Sequence, residues 1–514
     1  MARYKPRDAH LSKLLPVKFS EQILPGSFEY ALNWLIDHQI DLSVFDARFN
    51  NDAEGAPAYD PGVLLKIVLY AYSRGLMSSR SIERACRENV VFMALSGDTQ
   101  PHCTTLANFV ASLSSEITQV FRDVLLVCDQ QGLIGKQMFA VDGCKLPSNA
   151  SKEWSGTRAN FERKAGKMET AVKYLVARHL AQDVTCGEGD PRAREEKQIE
   201  TLKQASAKLR DWLHSNPQDR RGISGKPVQS NLTDPDSAKM KTAHGVIQGY
   251  TAVTAVDAQH QVVVQAEAFG VGQENALLPE VLEATRQNFK ALGQPAALDG
   301  VAITADAGYH SEDTLKKLAD QNVDAYVADT LFRKRDPRFA QAYQHKPEEK
   351  RRLPGERRSQ WFQAKDFDFD PMTLSCKCPA GKSLKLSSKN AVIKGMKGVT
   401  FEGTREICGS CPLRVKCLRK PDVSTYRQVA FFHGRAHEHY RHTAAMKQKI
   451  DSPRGRAIYS RRLGTVEPVF AHLRGRGLHR FTLRSRRKVD TQWKLYCLVH
   501  NIQKIRRYGT VGGP

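Results

Sequence analysis

At 514 residues with 41% hydrophobic content, the chain is long enough for about three domains with cores of their own. Its 78 Lys and Arg against 55 Asp and Glu leave a net charge of +23, which argues for a polyanionic partner, with nucleic acid the default. Nowhere is there a run of about 18 apolar residues, and the start MARYKPRDAHLSKLL lacks the apolar centre of a signal peptide; no membrane contact and a cytoplasmic location are expected.

From 1 to 135 the apolar periodicity is helical. Asp60 and Pro61 read as an N-cap and a first-turn proline ahead of the buried-type run Val63, Leu64, Ile67, Val68 and Tyr70. Arg80, Arg84 and Arg87 then fall on one helical face. Thr104-Thr105 precede the apolar positions Leu106, Phe109, Leu113, Ile117, Phe121 and Leu125. Short helices with one basic face suit a helix-turn-helix-like grip on DNA, and a plain helical bundle with a solvated basic side gives the same pattern.

Phe139 to Val141 reads as a short strand ending on Asp142. Residues 150–244 look like a helical arm, an antiparallel pair carried by Phe161, Met168, Val172 and Leu175 and then by Ile199, Leu202, Leu209 and Leu213. Gly249 to Val256 and Gln261 to Ala266 form a hairpin pattern with Asp257 as a turn residue, and Asn275 to Leu292 is helical. Val301 to Ala305 is a buried-type strand ending on Asp306, Ser311 caps a helix, and Asp324 to Val327 is another strand. The acid of this α/β unit lies at the carboxyl edge of the sheet, where ligands bind.

Between 331 and 455 periodicity fades. Cys376, Cys378, Cys408, Cys411 and Cys417 are bunched there. Four thiolates close a tetrahedral zinc site, with Cys378, Cys408, Cys411 and Cys417 as the set and Cys376 as the spare; unligated or redox-active thiols are the other reading. The final segment, Arg454 to Lys488, holds a single acid, Glu467, among many arginines. Such an acid either pairs with its neighbours or ligates a metal beside a phosphate-gripping face. Pro468 suggests a helix start, with Thr465 as N-cap and Glu467 in the first turn, or else a kinked longer helix. Arg474, seven positions on, returns to the Glu467 face about 10 Å along. A last helix runs from about Thr491 to Arg506 with Trp493, Leu495, Leu498, Val499, Ile502 and Ile505 inward.

Asp142, Asp306 and Glu467 are three hard oxygen donors in an α/β context flanked by positive charge. Two Mg²⁺ or Mn²⁺ ions acting on a phosphodiester need such a set.

The stretches AVDGCKLPSNASKEWSG, VAITADAGYHSEDTL and TVEPVFAHLRGRGLHRFTLRS resemble the three acid-bearing blocks of bacterial insertion-sequence DDE transposases, in particular the insertion sequence 1182 group of the insertion-sequence-4-like superfamily. DPGVLLKIVLYAYSRGLMSSRSIERACREN resembles that group's N-terminal helical domain, and CPAGKSLKL with CGSCPLRVKC its cysteine-bearing segment. The resemblance implies an α/β fold with an RNase H-like catalytic core, a mixed sheet with flanking helices. That core would comprise 136–149, 245–330 and 456–508, interrupted by insertions at 150–244 and 331–455 and preceded by an all-helical domain at 1–135. It implies Asp142, Asp306 and Glu467 as catalytic metal ligands for two Mg²⁺ or Mn²⁺ ions. The superfamily's Tyr, Arg, Glu and Lys pattern is kept at Tyr459 and Arg462, but four residues rather than three separate Arg462 from Glu467, and Arg474 stands in the Lys position. Arginine there keeps the charge and adds a fork that grips phosphate in two places.

The function so implied is DNA transposition: metal-dependent hydrolysis at the element's ends, then strand transfer of the 3′-hydroxyl into target DNA. Arg462, Arg474, Arg476 and Arg480, with Arg80, Arg84 and Arg87, are the candidate contacts to double-stranded DNA. A homodimer or larger assembly on DNA and association with the bacterial nucleoid follow from the same reading. An RNase H-like nuclease that only cleaves, and a non-enzymatic zinc-containing DNA-binding regulator, are the alternatives.

Overall fold

The computed structural model describes residues 16–48, 57–182, 191–221, 225, 227–339, 341, 361–393, 396–435 and 441–511; Cys186 and the first 15 residues lie outside them. Two compact units are present, one formed by Met1–Tyr309, Val323–Ala325 and Ile458–Pro514, the other by His310–Asn322 and Tyr326–Ala457.

Among the described residues, the first unit opens with the α-helices α1 (Phe28–His38), α2 (Pro61–Ser73), α3 (Ser79–Glu88), α4 (Val90–Ser96), α5 (Cys103–Ser112) and α6 (Ser114–Gln130). Asp60 caps α2 by accepting from the Gly62 amide, with Pro61 in the first turn, as its sequence suggests. The apolar segment after Thr105 is two helices, because the chain breaks helical geometry at Leu113. Strand β1 (Met138–Pro147) follows, then the two-residue β2 (Ser155–Gly156), the long helices α7 (Arg158–Gln182) and α8 (Pro191–Ser215), and β3 (Ser230–Asn231), which pairs with β2. Phe161, Ala165, Leu209, Trp212 and Leu213 form the core that joins α7 to α8. Next come β4 (Ala238–Thr242), β5 (Gly245–Asp257), β6 (Val263–Phe269), α9 (Leu278–Ala291) and β7 (Ala302–Ala305).

The sheet is mixed. β1 runs antiparallel to β5 and parallel to β7, β5 pairs on its other side with β4 and β6, and β7 is followed in the order by β8 (Ala325–Val327). Asp257 acts as the turn residue its context suggested, accepting from the amides of Lys136 and Gln259. β1 does not end on Asp142: it continues to Pro147, held by β5 along its whole length. Gly143 is therefore no turn residue. A Cβ there would lie 3.2 Å from the Tyr309 hydroxyl and 3.2 Å from Thr251 Cγ2, so the missing side chain allows close packing across the sheet.

Helix α15 (Pro453–Gly475) is continuous through Pro468, so of the two readings the longer helix holds and the start at Thr465 does not. Pro468 has no amide to give the Gly464 carbonyl, and Gln261 Nε2 supplies the missing bond at 2.9 Å. Thr465 is not a cap either; its hydroxyl donates to the Arg461 carbonyl. The last helix, α16 (Arg486–Tyr508), is buried around most of its circumference, Val489, Trp493, Leu498 and Ile502 among the inward residues. It lies between the N-terminal helices and the sheet: Tyr496 stacks on Tyr72 of α2 with centroids 4.6 Å apart, and Asn501 bonds both the amide and the carbonyl of Val263, at 2.8 Å each. With the Ala268 amide donating to Asp490, α16 thus satisfies backbone groups along β6 that would otherwise be an open sheet edge.

The second unit holds α10 (Glu312–Asp320), capped by Ser311 as expected, the short α11 (Phe332–Arg335), and strands β9 (Asp368–Asp370), β10 (Ser375–Lys377), β11 (Ser383–Ile393), β12 (Met396–Glu402) and β13 (Gln428–Arg435). Helices α12 (Arg405–Gly409) and α13 (Arg414–Cys417) precede β13, and α14 (Arg441–Asp451) follows it. These five strands form an antiparallel sheet in a segment whose sequence shows no clear periodicity. Several of its strands are short or largely exposed, and β11 places only Leu384 and Leu386 inward before register shifts interrupt its pairing with β12, so the alternation that betrays a half-buried strand is weak. Phe367, Cys376, Leu384, Val399, Phe401 and Val429 make its core.

Candidate active site and cysteine cavity

Parallel pairing of β1 with β7 aligns Met138 with Ala302 and, at its end, Val141 with Ala305. The next residue on each chain is an aspartate, Asp142 and Asp306. Neighbouring strands lie about 4.8 Å apart, so the backbone register alone sets the two carboxyl groups side by side. Burial pushes the Asp142 carboxyl above its usual range, Arg462 opposes that shift and Asp306 adds to it.

Arg462 on α15 reaches this pair. Its Nη1 donates to Asp142 Oδ2 at 2.6 Å, and the two side chains are only 9% and 17% exposed. The guanidinium also stands 5.8 Å from the centre of the Tyr459 ring, one helical turn earlier. Tyr459 and Arg462 therefore sit at the aspartates despite the extra residue before Glu467.

Glu467 is exposed on α15, and its side chain makes no hydrogen bond or ion pair among the described residues. At 100° per residue it lies roughly 140° around the helix from Arg462. Arg474 nearly shares the Glu467 face and is close enough to lower the Cys144 thiol, which burial pushes up to about 12. Cys144 is two residues beyond Asp142 on β1 and on the same side of the strand.

A carboxylate not anticipated from sequence joins the aspartates. Glu274, in the loop between β6 and α9, is pushed up to about 7 by burial, with Lys145 opposing and Asp306 and Asp142 adding to the shift. Its Oε1 is 3.7 Å from Lys145 Nζ. A Cβ on Gly308 would lie 2.7 Å from Glu274 Oε2 and 3.0 Å from Asp306 Oδ1, so the two acids flank one narrow gap. Tyr309 is fully buried beside them, its hydroxyl without a hydrogen-bond partner among the described residues and held well above its usual range by burial and by Glu274, Asp142 and Asp306. Only the break between GVGQ and the proline-started α9 marks Glu274 in the sequence, a position any loop acid could occupy.

The arginines differ in setting. Arg80, Arg84 and Arg87 are exposed on α3, with Arg87 bonded to Glu83 at 2.6 Å. Arg480 is exposed and donates to Asn149 Oδ1 at 3.0 Å. Arg476 is half-buried, its Nη1 is unpartnered and burial lowers its pKa.

Cys378, Cys408, Cys411 and Cys417 line a single small cavity in the second unit, together with Pro379, Ile407 and Leu413. Burial pushes the Cys417 thiol up, and Cys408, Cys378 and Cys411 are near enough to add to it, against Arg427. The loops that carry them are stitched by arginines: Arg414 donates to the carbonyls of Cys408, Pro421 and Ser424, and Arg427 to those of Cys417 and Phe362. Cys376 is not part of that lining; it is 2% exposed in the core of the sheet, its thiol pushed up to about 11 by burial, with Asp368 and Cys378 adding to the shift. Among the described residues, the group of three metal-capable atoms lying within 4.8 Å of one another is Glu83, His102 and Cys103. Its glutamate is already engaged by Arg87 and by the Cys103 amide, and its histidine caps α5.

Residues 17–112 match the family model described as a transposase domain (DUF772), and residues 377–506 match the one described as a transposase DDE domain. These matches indicate a DNA transposase. Together they support an insertion-sequence DDE transposase, a family that uses divalent metals and acts on DNA. The second match contains Glu467 and the cavity cysteines, whereas Asp142 and Asp306 fall outside both. No curated protein matches the chain. Among the described residues, no helix is long and apolar enough to cross a membrane.

Proposed function

We propose that the chain is a transposase of the insertion sequence 1182 kind, with Asp142, Asp306 and Glu467 as its catalytic acids on an RNase H-like core. The observation that carries this reading is the register that puts Asp142 and Asp306 at equivalent positions on adjacent parallel strands. Support for the core comes from the strand order β6-β5-β1-β7-β8, with β5 antiparallel to its neighbour β1 and β1 parallel to β7. On this reading 150–244 and 331–455 are insertions into the core and 1–135 is the DNA-binding domain.

The donor set is hard, anionic and partly desolvated, which fits Mg²⁺ or Mn²⁺. When bound, two such ions supply Lewis-acid polarisation of the phosphodiester and lower the pKa of the attacking oxygen's proton. Arg462 holds Asp142 in place from the helix side and offers its remaining donors to a phosphate oxygen. Water attacks the phosphodiester at an element end, leaving a 3′-hydroxyl, and that hydroxyl attacks target DNA in the same in-line manner. Arg474, Arg476 and Arg480, with Arg80, Arg84 and Arg87, grip the DNA backbone, and a homodimer or larger assembly pairs the two ends in the bacterial cytoplasm. Cys378, Cys408, Cys411 and Cys417 hold one structural Zn²⁺.

Purified protein, Mg²⁺ and a pre-cut duplex bearing the element's end are expected to yield joined products in which the 3′-hydroxyl is linked to target DNA. Cleavage of uncut ends with no joining would identify a nuclease, and binding with neither reaction a regulator.

A further inference from the structure

Asp142 and Asp306 are gathered by strand register, but Glu274 reaches the same place from a loop, and the proposed function gives it no task. We propose that Glu274 is a fourth carboxylate of the divalent-cation site, ligating beside Asp306; the inference rests on the reading of these aspartates as metal ligands. Two independent observations support it. The first is placement: Gly308, with no Cβ, lets Glu274 Oε2 and Asp306 Oδ1 approach one spot, 2.7 and 3.0 Å from where that Cβ would stand. Any larger residue at 308 would wedge the acids apart.

The second is the Tyr309 hydroxyl. It is fully buried, lies within electrostatic reach of Glu274, Asp142 and Asp306, and among the described residues donates to none of them. Buried hydroxyls without partners are rare, because an unmade bond costs about 1–3 kcal/mol. A donor left over beside three carboxylates is one that a further polar ligand, such as a water on a bound ion or a phosphate oxygen, would satisfy. Lys145, 3.7 Å from Glu274, is too distant for a strong bond and leaves the carboxylate available.

The experiment uses the full-length chain as wild type, Glu274→Gln and Asp306→Asn. Mn²⁺ binding is followed by calorimetry without DNA, and Mn²⁺-dependent cleavage of an end-bearing duplex is measured on the same preparations. Glu274→Gln is expected to weaken Mn²⁺ binding at least about tenfold and to raise the Mn²⁺ needed for half-maximal cleavage by a similar factor, with no fall in melting temperature. Should Glu274→Gln fail to fold, Glu274→Asp keeps the charge on a shorter arm and is expected to bind Mn²⁺ with intermediate affinity. Wild-type binding and cleavage by the Glu274 variant, with both lost in Asp306→Asn, would overturn the inference alone. Mn²⁺ binding untouched by Asp306→Asn would overturn the reading beneath it.

Discussion

Asp306→Asn is expected to abolish DNA cleavage, by about a thousandfold or more, while leaving the protein at least as stable as the wild type. Cleavage falls because removing one anionic donor costs the charge that binds and orients the cations facing the phosphodiester. Stability does not fall, because Asp306 is a like charge beside Asp142, whose carboxyl it helps push up. Neutral Asn of the same shape relieves that repulsion. Asp142→Asn separates the two roles. It too should lose cleavage, but it also strips Arg462 of the partner it holds at 2.6 Å in a largely buried pair. An uncompensated buried charge typically costs about 3–5 kcal/mol, and the lower end is expected here because Asp306 still attracts the guanidinium. Cleavage assays and thermal melts on the two variants check both halves. A stable, active Asp306→Asn would remove that residue from the site, and equal melts for the two variants would remove the ion-pair argument.

Replacing Cys408 or Cys411 with Ser is expected to release about one zinc per chain and to lower the melting temperature of the cysteine-bearing unit by roughly 10 °C, since structural zinc contributes folding free energy directly. This unit needs such a staple. Its sheet is thin and largely exposed, with a core of few side chains around Phe401 and Val399. Cys376→Ser is the internal control. A hydroxyl placed in that apolar core lacks a partner and is expected to cost about 1–3 kcal/mol, yet zinc should stay, because Cys376 belongs to the sheet core and does not line the cavity that the other four line. Elemental analysis finding no zinc in the wild type, or zinc lost only from the Cys376 variant, would contradict the assignment.

Local signals made much of this fold legible. Asp60 with Pro61, Ser311 three residues before Thr314, and the apolar faces of α7 and α8 each carry their own explanation within a turn or two of chain. The β5–β6 hairpin was readable for the same reason. What stayed hidden depends on partners far along the chain. Asp142 followed by Gly143 looks like a strand end until β5 is there to carry β1 on to Pro147, and Pro468 looks like a helix start until Gln261 satisfies the carbonyl it leaves free. Within the candidate site, the aspartates were visible because each follows a short apolar strand. Glu274 was not, since a loop acid has no pattern and only the tertiary fold brings it to Asp306. Among the cavity cysteines, Cys408 and Cys411 carry a local signal in their Cys-x2-Cys spacing, whereas Cys378 and Cys417 reach the same cavity through the fold.

The proposed function requires one divalent-cation site bounded by residues from β1, the end of β7 and α15. Iron-directed cleavage of the polypeptide tests this most directly: Fe²⁺ replaces Mg²⁺, ascorbate and peroxide generate hydroxyl radicals at the bound ion, and the cut positions are mapped by mass spectrometry. Cuts clustered around Asp142, Asp306 and Glu467, suppressed by excess Mg²⁺, are expected. Cuts near the two aspartates with none near Glu467, or no Mg²⁺-sensitive cuts at all, would contradict the proposed site.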